Sequence, residues 1–373
     1  MIIGVIGGGQ LARMMIPAAV ELGIELRVLA EQEGMSAALA ATATGDYRDA
    51  DAVLAFAEGV DVVTFDHEHV PQTVLRALVD AGHAVHPGPD ALRFAQDKRA
   101  MRERMAELGA PQPDWAPVDA PADLERFLAD HGGVGVLKTA TGGYDGKGVR
   151  VVRGVGEAED WLEGAAAGGP RLLVEELVPF RRELAQLVAR SPGGECVVWP
   201  LVQTVQRDSI CAEVLAPAPD AARIQPVVDD IARSIAEGLG VTGVLAVELF
   251  ETDDDRVLVN ELAMRPHNSG HWTIDGSVTS QFEQHLRAVL DLPLGSTALL
   301  APASVMVNVI GGPSSGSMAD RYAAAFAAHP DVKVHSYAKA TRPGRKVGHV
   351  TAVGDDVDEV ACRARAAAAH FEG

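Results

Sequence analysis

The order of apolar and polar side chains predicts short strands that alternate with amphipathic helices over the first third of the chain. Runs rich in β-branched residues predict strands at residues 2–7, 25–30, 60–66 and 83–87. Between these runs, apolar side chains recur at helical spacing over residues 11–23 and 73–82. Because parallel strands need crossover connections, this β-α-β order predicts a doubly wound parallel sheet with helices on both faces.

The pattern changes after a Pro/Gly-rich break in the stretch HPGPDALRFAQ, where a long helix and a domain boundary near residue 95 are predicted. Beyond about residue 112 the pattern is α+β, with a helix predicted at 226–240 and an alanine-rich helix at the end. The predicted strands there cover residues 133–139, 148–154, 171–178, 183–190, 195–203, 243–251, 256–264, 332–340 and 348–354. A length of 373 residues exceeds one compact core and predicts two or three domains.

The net charge of the chain limits the classes of molecule that it is expected to bind. With a net charge of −20, the chain should repel nucleic acid and anionic membranes, so binding of an anionic substrate requires locally concentrated basic residues. No apolar stretch approaches the roughly 20 residues that cross a membrane, and the start lacks the pattern of a secretory signal. A cytoplasmic location is therefore expected. The three cysteines lie far apart without a CxxC spacing, which favours free thiols over disulfides or a zinc site.

The stretch GVIGGGQLARM, residues 4–14, lies at a predicted strand-to-helix turn, where backbone N–H groups and the helix dipole favour an anion. It does not match the dinucleotide fingerprint G-x-G-x-x-G, because the third glycine position after Gly7 and Gly9 is Ala12. Glu31 stands where the ribose-binding acid of that fingerprint would be. Three interpretations stay open: a tight packing turn, a site for a phosphate or another polar ligand, and an NAD site.

The stretch KTATGGYDGKGV, residues 138–149, has three glycines among its five central residues, 142–146, and also carries Lys138 and Lys147. Its composition fits either a solvated hairpin or a flexible flap that closes over phosphate.

Two glutamates in neighbouring predicted strands form a candidate metal pair. The acidic turn TDDDR separates GVLAVELFE from VLVNELAM, so an antiparallel hairpin can bring Glu248 and Glu261 to one face. Two buried carboxylates repel unless a cation neutralises them, and Mg²⁺ bound by carboxylates and substrate phosphates does so. The alternative is a pair of solvent-facing glutamates.

Two further segments carry concentrated polar chemistry. RPHNSGHWT, residues 265–273, holds many hydrogen-bonding side chains, which favours a ligand site, whereas no ligand spacing supports zinc. KATRPGRKVGH, residues 339–349, concentrates Lys339, Arg342, Arg345 and Lys346. That cluster fits either a phosphate clamp or a solvated basic loop.

Taken together, these motifs resemble a known family. KTxxGGYDGKG, VEExVPFxxELAxxVAR, GVLAVELF, NELAxRPHNSGHWT and RPGRKVGH stand in the order found in 5-(carboxyamino)imidazole ribonucleotide synthases, which belong to the ATP-grasp superfamily. The resemblance covers essentially the whole chain. It implies an ATP-grasp fold, both α/β and α+β, with an N-terminal doubly wound domain (1–96), a lid with the glycine-rich flap (97–178) and a larger C-terminal domain (179–373).

The resemblance also implies roles for individual residues. The implied ATP contacts are Lys98, Lys138, Glu175, Glu176, Val178 and Glu183. The implied Mg²⁺ ligands, with Mn²⁺ as an alternative ion, are Glu248 and Glu261, and the implied catalytic residues are Arg265, Asn268 and Asp145. The implied substrate contacts are Gly9, Gln10, Glu68, Tyr144, Asp145, Arg265, His267, Asn268, Ser269, Lys339, Arg345 and Lys346.

The implied reaction is carboxylation of 5-aminoimidazole ribonucleotide by bicarbonate and ATP, through carboxyphosphate, in purine biosynthesis, by a homodimer. Ala140 and Thr141 depart from the family's two flap arginines, and Met264 replaces its proline. Three rivals stay open: another ATP-grasp carboxylase or ligase, an NAD-binding oxidoreductase resting on GVIGGG, and a catalytically silent nucleotide-binding protein. Biotin carboxylases typically carry E-x-N-x-R, whereas Ala263 stands at the Asn position here.

Overall fold

Three β-sheets organise the protein. The computed structural model describes residues 1–143 and 147–372. Within these residues the three sheets contain four, four and nine strands in chain order, and the last is the largest. Among the described residues, no helix combines the length and apolar character needed to cross a bilayer.

The first sheet is parallel, as the β-α-β pattern predicts. Its strands, in spatial order β3-β2-β1-β4, are β1 (Ile2–Ile6), β2 (Glu25–Ala30), β3 (Ala41–Thr44) and β4 (Val62–Phe65). The helices between and after them are α1 (Gln10–Glu21), α2 (Ala50–Ala57) and α3 (Gln72–Asp80). The strand predicted at 83–87 is only a single bridge between Val85 and Val63. The edge strand β3 was not predicted because its Ala/Thr side chains lack an apolar repeat.

The helix predicted after the Pro/Gly break is two helices, α4 (Pro89–Gln96) and α5 (Lys98–Glu107). Asp97 interrupts them in an extended conformation, and its carboxylate accepts hydrogen bonds from the backbone N–H of Arg99 and Ala100. An Asp at this position caps a new helix, so the chain turns here instead of continuing.

The second sheet is small and antiparallel. Its strands, in order β5-β8-β6-β7, are β5 (Trp115–Val118), β6 (Gly135–Thr139), β7 (Val149–Val152) and β8 (Leu172–Glu175). The helices α6 (Pro121–Asp130) and α7 (Glu159–Ala166) accompany it. Leu124, Leu137 and Val174 belong to a hydrophobic cluster of its own, so this sheet has a separate core.

The third sheet forms the body of the protein. In spatial order it runs β14-β13-β9-β11-β12-β15-β17-β16, with β10 paired to β9. Its strands are β9 (Phe180–Arg190), β10 (Cys196–Val198), β11 (Val202–Arg207), β12 (Ile210–Ala216), β13 (Gly243–Thr252), β14 (Val257–Ala263), β15 (Ala303–Ile310), β16 (Lys333–Ser336) and β17 (Lys346–Gly354). Its helices are α8 (Gln225–Gly238), α9 (Thr273–Gly276), α10 (Gln281–Val289), α11 (Tyr322–Ala328) and α12 (Val357–Ala368).

Two strands of this sheet differ from the sequence pattern. The single strand predicted at 195–203 is divided into β10 and β11 around Pro200, which has no N–H for a sheet ladder.

The largest hydrophobic cluster joins the first sheet to the third, with Phe65 and Leu75 in the same cluster as Leu245 and Val259. The second sheet therefore stands apart from a body that the other two share.

Candidate active site

The β13–β14 hairpin places the two predicted metal ligands together. Glu248 pairs directly with Glu261 across the ladder, so both carboxylates leave the same face. The register then shifts by one residue, because Leu249 pairs with Val259 and leaves Asn260 without an opposite residue. This β-bulge allows the consecutive residues Asn260 and Glu261 to line the same cavity, where a regular strand would alternate faces.

Each glutamate of the pair has a cationic or imidazole partner. The Lys98 ammonium bonds to Glu261 Oε1, and His267 Nε2 lies 3.1 Å from Glu248 Oε1. Burial would raise the pKa of Glu248, but the His267 hydrogen bond and nearby cations lower it. Ionised carboxylate oxygens suit Mg²⁺. Among the described residues no group of three or more His, Cys, Asp or Glu side chains is arranged to hold a metal ion. An ion bound at the glutamate pair would therefore need further ligands from a substrate.

Lys138 is fixed by a buried carboxylate. Its Nζ lies 2.7 Å from Glu175 Oε2, and Arg102 Nε lies 2.9 Å from Glu175 Oε1. Burial would raise the pKa of Glu175, but the two cations lower it to about 2. Arg102 also donates to the carbonyls of Val259 and Asn260, so α5 is tied to the hairpin. Glu175, an implied ATP contact, therefore orients a lysine with its carboxylate.

A cavity of about 500 Å³ lies between the second and third sheets. Its floor is one face of the third sheet and includes Glu183, while Val136 and Val151 come from the second sheet. Glu176 and Val178 line the connection between the sheets, beside Phe180, whose ring stacks on Phe250 at 4.6 Å. The apolar side chains of Val136, Val151, Val178 and Phe180 give one part of the cavity walls that suit a planar base, whereas most of the remaining lining is polar or charged.

Glu183 stands out electrostatically in this cavity. Burial raises its pKa to about 7, and the nearby Glu248 carboxylate adds to that effect. Both glutamates lie on the floor of the cavity, so a cation or hydroxyl donor bound there would favour the charged form of Glu183.

A second cavity of about 940 Å³ opens between the first and third sheets. It brings Gly9, Gln10 and Glu68 of the N-terminal region to Arg265 and Lys339. The two cavities share a wall formed by six residues: Lys98, Glu248, Glu261, His267, Asn268 and Lys346. A group held in one cavity can therefore meet a group held in the other at the glutamate pair.

The backbone N–H groups of the glycine-rich turn after β1 already donate to a buried carboxyl group of the chain itself. Asp66 accepts from the backbone N–H of Gly9 at 2.8 Å and of Ala12 at 2.7 Å, and Gly8 N–H donates to Glu31 at 3.3 Å. A Cβ on Gly9 would stand 2.0 Å from Asp66 Oδ2, so the glycine is required by this contact. Of the three interpretations of this turn, the structure favours tight packing, because an internal carboxylate occupies the donors a phosphate would need.

Glu68 connects the N-terminal region to the 265–273 segment. It accepts from Arg265 Nε at 2.8 Å and from the backbone N–H of Met264 at 3.1 Å. The pKa of Arg265 is raised by this carboxylate although burial opposes the charge. The guanidinium is thereby held at the edge of the second cavity.

The 265–273 segment is a tight turn whose residues face different ways. His267 and Asn268 line both cavities, but Ser269 is fully buried and lines neither; its Oγ lies 2.9 Å from His267 Nδ1. Gln281 clamps the turn, because its amide accepts from His267 N and donates to His267 O, both at 2.8 Å. Ser269 thus orients His267 and does not itself reach a cavity.

The basic segment at 339–349 also divides. Lys346 lines both cavities, and the Lys339 ammonium bonds to Gln10 Oε1 in the second cavity. Arg345 is half-buried, lines neither cavity and donates to the Ala340 carbonyl at 3.4 Å. Arg342 is exposed. Of the four basic residues in the predicted phosphate clamp, only Lys339 and Lys346 therefore line the second cavity.

The flap borders the second cavity through Ala140, Thr141, Gly142 and Gly143. The predicted substrate contacts Tyr144 and Asp145 lie outside the described residues.

Sequence reasoning missed several residues of the site. Arg102, Asn260, Gln281 and Asp66 were not singled out. Arg102 follows Lys98 by one helical turn on α5, a spacing that places both on the same face, and this was the available signal. Gln281 lies in an ordinary amphipathic helix and offers none.

Comparisons with known proteins agree with this geometry. Residues 1–96 match the family of ribonucleotide synthetase preATP-grasp domains, residues 103–282 the ATP-grasp domain family and residues 304–363 the phosphoribosylaminoimidazole carboxylase C-terminal domain family. N5-carboxyaminoimidazole ribonucleotide synthase of Mycobacterium tuberculosis is 50% identical over 372 residues, which covers 98% of this chain and 87% of that protein.

Solved structures share the fold over nearly the whole chain. The synthetase from Thermus thermophilus is 40% identical with a TM-score of 0.86, and 97% of each chain is covered. The synthase from Aspergillus clavatus, in complex with ADP and 5-aminoimidazole ribonucleotide, is 32% identical with a TM-score of 0.88, covering 99% of this chain and 98% of that one. The chain belongs to the N5-carboxyaminoimidazole ribonucleotide synthase family of ATP-grasp enzymes.

Proposed function

We propose that the protein carboxylates 5-aminoimidazole ribonucleotide with bicarbonate and ATP. The products are N5-carboxyaminoimidazole ribonucleotide, ADP and phosphate. In the proposed sequence, a bicarbonate oxygen attacks the γ-phosphorus of ATP and ADP leaves, which gives carboxyphosphate. The exocyclic amine of the ribonucleotide then takes the carboxyl carbon, phosphate leaves, and the amine loses a proton.

The observation that carries this proposal is the shared wall of the two cavities. A nucleotide in the cavity between the second and third sheets would direct its phosphates toward Lys98, Lys138 and the glutamate pair. A ribonucleotide in the second cavity would reach the same wall from the other side. Two reactants held at one place gain rate by proximity, and a short-lived intermediate need travel only across that wall.

Nucleotide binding follows from the chemistry of the first cavity. The aliphatic and aromatic walls suit adenine, with the main chain at Glu176 and Val178 available to its edge. Glu183 is placed to accept from a ribose hydroxyl. Lys138, held by Glu175, and Lys98 supply positive charge for phosphate oxygens.

Glu248 and Glu261 would hold Mg²⁺, or Mn²⁺ in its place. The bound ion would neutralise charge on the transferred phosphoryl group. The chain's own contribution is to hold both carboxylates on one face through the hairpin register, with His267 beside Glu248 and Lys98 beside Glu261. Preorganised charges of this kind stabilise a transition state without rearranging during the reaction.

Substrate binding in the second cavity rests on a mixed set of groups. Gln10 and Glu68 are suited to hydroxyls, and Lys339 and Lys346 to the phosphate and the bicarbonate. Arg265 and Asn268 supply further donors beside the shared wall. Closure of the glycine-rich flap, with Tyr144 and Asp145 at its tip, would exclude water from carboxyphosphate.

The domain division 1–96, 97–178 and 179–373 is part of the proposal, supported by the three sheets and by the separate core of the second. Within the proposed lid, α5 packs Met101 and Met105 into the core that the first and third sheets share. A homodimer and a cytoplasmic location stay predictions. Light scattering after size-exclusion chromatography would measure the oligomeric state.

The function is tested by following ADP and phosphate with ATP and Mg²⁺ present. We expect rapid release only when 5-aminoimidazole ribonucleotide and bicarbonate are both supplied, and none after addition of EDTA. Release that ignores the ribonucleotide would contradict the proposed substrate. A nicotinamide absorbance change would instead support the oxidoreductase alternative.

A further inference from the structure

A series of hydrogen-bonded, buried side chains ends at Asn268, in the shared wall of the two cavities. Asn268 Oδ1 accepts from Asn308 Nδ2 at 3.1 Å, and Asn308 Oδ1 lies 3.3 Å from the Tyr337 hydroxyl. That hydroxyl lies 2.8 Å from His349 Nδ1. All four residues are buried, and Asn308, Tyr337 and His349 line neither cavity.

Asn308 fixes which atom donates and which accepts in its hydrogen bonds with Asn268 and Tyr337. Its Nδ2 also donates to the Cys211 carbonyl at 2.9 Å, and a carbonyl can only accept. Asn308 Oδ1 must then be the acceptor, so the Tyr337 hydroxyl donates to it. The second hydrogen of Asn308 Nδ2 is directed to Asn268, whose Oδ1 must accept.

The hydrogen bond between Tyr337 and His349 is compatible with the same donor-to-acceptor direction. A hydroxyl that donates to Asn308 can accept from the other side, so His349 donates from Nδ1–H. Burial lowers the pKa of His349 well below its usual value, and the ring is therefore neutral with one N–H available for this bond. Asn308 and His349 are directly paired residues of β15 and β17, which holds them in register.

This arrangement determines the environment of the Asn268 amide nitrogen, Nδ2. With Oδ1 engaged inward, Nδ2 is turned away from Asn308 and has no oxygen or nitrogen acceptor among the described residues; its only neighbour of that kind is the Cys211 thiol, whose sulfur is a weak acceptor. The Cys211 thiol lies beside the same side chain, and burial raises its pKa to about 12, so it stays a neutral thiol. A buried amide N–H without an acceptor is costly unless a ligand supplies one.

We propose that the Asn308–Tyr337–His349 relay is a positioning device that presents the Asn268 amide N–H to an acceptor oxygen of the bound substrate or carboxyphosphate. The inference rests on the proposed function for the identity of that oxygen. Asn308, Tyr337 and His349 line neither cavity and act on the substrate through Asn268; the Tyr337 ring also lies 5.7 Å from Lys339 Nζ, a contact whose ring Tyr337→Phe retains. A reversed amide would place a carbonyl oxygen against the negative charge that collects at the shared wall.

The kinetic test compares Asn308→Leu and Tyr337→Phe with the control Thr351→Val. Thr351 is buried on β17, two residues from His349, and its hydroxyl has no partner among the described residues, so the control removes a polar group outside the relay. We expect kcat to fall about 100-fold in Asn308→Leu and about 10-fold or less in Tyr337→Phe. The KM for ATP should change less than about twofold, and Thr351→Val should match the wild type.

A spectroscopic test reads the amide itself. The chain contains only three asparagines, Asn260, Asn268 and Asn308, so selective ¹⁵N-asparagine labelling yields just three side-chain amide groups in an NMR spectrum. Assignment would use Asn260→Asp and Asn268→Asp. We expect Tyr337→Phe and Asn308→Leu to shift or broaden the Asn268 pair, and Thr351→Val to leave it in place.

The outcomes separate cleanly. Shifted Asn268 signals together with a reduced kcat in the relay variants support the proposal. Unchanged Asn268 signals overturn it whatever the kinetics, and shifted signals with normal kcat also overturn it. If the wild type fails to carboxylate the ribonucleotide, the proposed function is wrong, while the NMR spectra still report whether the relay sets the amide. Tyr337→Phe serves where Asn308→Leu does not fold.

Discussion

Replacing Glu175 with Gln should destabilise the protein by about 3 kcal/mol. The Glu175 side chain is almost fully buried, and each of its oxygens faces a cation, Lys138 at 2.7 Å and Arg102 at 2.9 Å. Glutamine keeps the shape but removes the charge. Two buried cations would then lack a counter-ion, which is a recognised cause of large destabilisation.

The magnitude follows from the pKa. Folding lowers the pKa of Glu175 from 4.5 to about 2, at about 1.4 kcal/mol for each tenfold change in proton affinity. The depressed pKa means that this contribution is complete above pH 4.5 and is lost as the pH falls toward 2. At pH 7.5 the variant should therefore lose the full amount, roughly the 3–5 kcal/mol seen when a buried pair loses one partner.

The assay is urea-induced unfolding at pH 7.5, followed by circular dichroism. Glu163→Gln is the matched control, because Glu163 is an exposed glutamate on α7 of the same sheet region and should change stability by less than about 0.5 kcal/mol. Lys138→Met combined with Glu175→Gln should be more stable than the sum of the two single effects.

A loss below about 1 kcal/mol in Glu175→Gln would refute the reasoning. It would mean that Lys138 and Arg102 find other partners or water without the carboxylate. The affinity for ATP gives a second reading: Lys138 without its carboxylate should bind phosphate less well, because burial already lowers the Lys138 pKa and Glu175 opposes that effect.

Three further predictions follow from the site and its surroundings. Glu261→Gln should lower ADP formation by roughly 100-fold or more while the circular dichroism spectrum is retained, and normal turnover would remove Glu261 from the metal pair. Lys346→Ala should raise the ribonucleotide KM by roughly 10-fold or more and the ATP KM much less; equal effects in steady-state kinetics would count against the assignment. Burial lowers the pKa of His271, His285 and His349, to about 3 for His285, so stability should fall below pH 6.5 by about 1.4 kcal/mol per pH unit per histidine. Urea midpoints at pH 7 and pH 5 check this, and His285→Gln should flatten the decline.

Local pattern was a good guide to the hairpin that carries the glutamate pair. The acidic turn and the two apolar runs predicted an antiparallel pair with Glu248 and Glu261 on one face, and the ladder confirms the pairing. The bulge at Asn260 was not predictable, because the sequence around it keeps a regular strand composition. Yet this bulge brings Asn260 within 3.4 Å of Lys138.

The glycine-rich start shows the opposite case. Its spacing indicated a strand-to-helix turn, and the structure has one between β1 and α1. What binds there depended on Asp66, more than fifty residues away, whose carboxylate satisfies the turn's own donors. A motif read alone gives the backbone shape of an anion site but not whether the protein fills it.

The sequence by itself determined the alternating elements, the parallel first sheet, the hairpin and the residue types gathered for phosphate and metal chemistry. These depend on neighbours within a few residues, where apolar period, caps and turns act. Only the tertiary structure decided that Ser269 faces the core, that Arg345 stays outside both cavities, and that Lys98, Glu261 and Lys346 meet at one wall. The reason is physical: a cavity wall is built from segments far apart in the chain, and their contacts are set by how sheets pack, which no local period records.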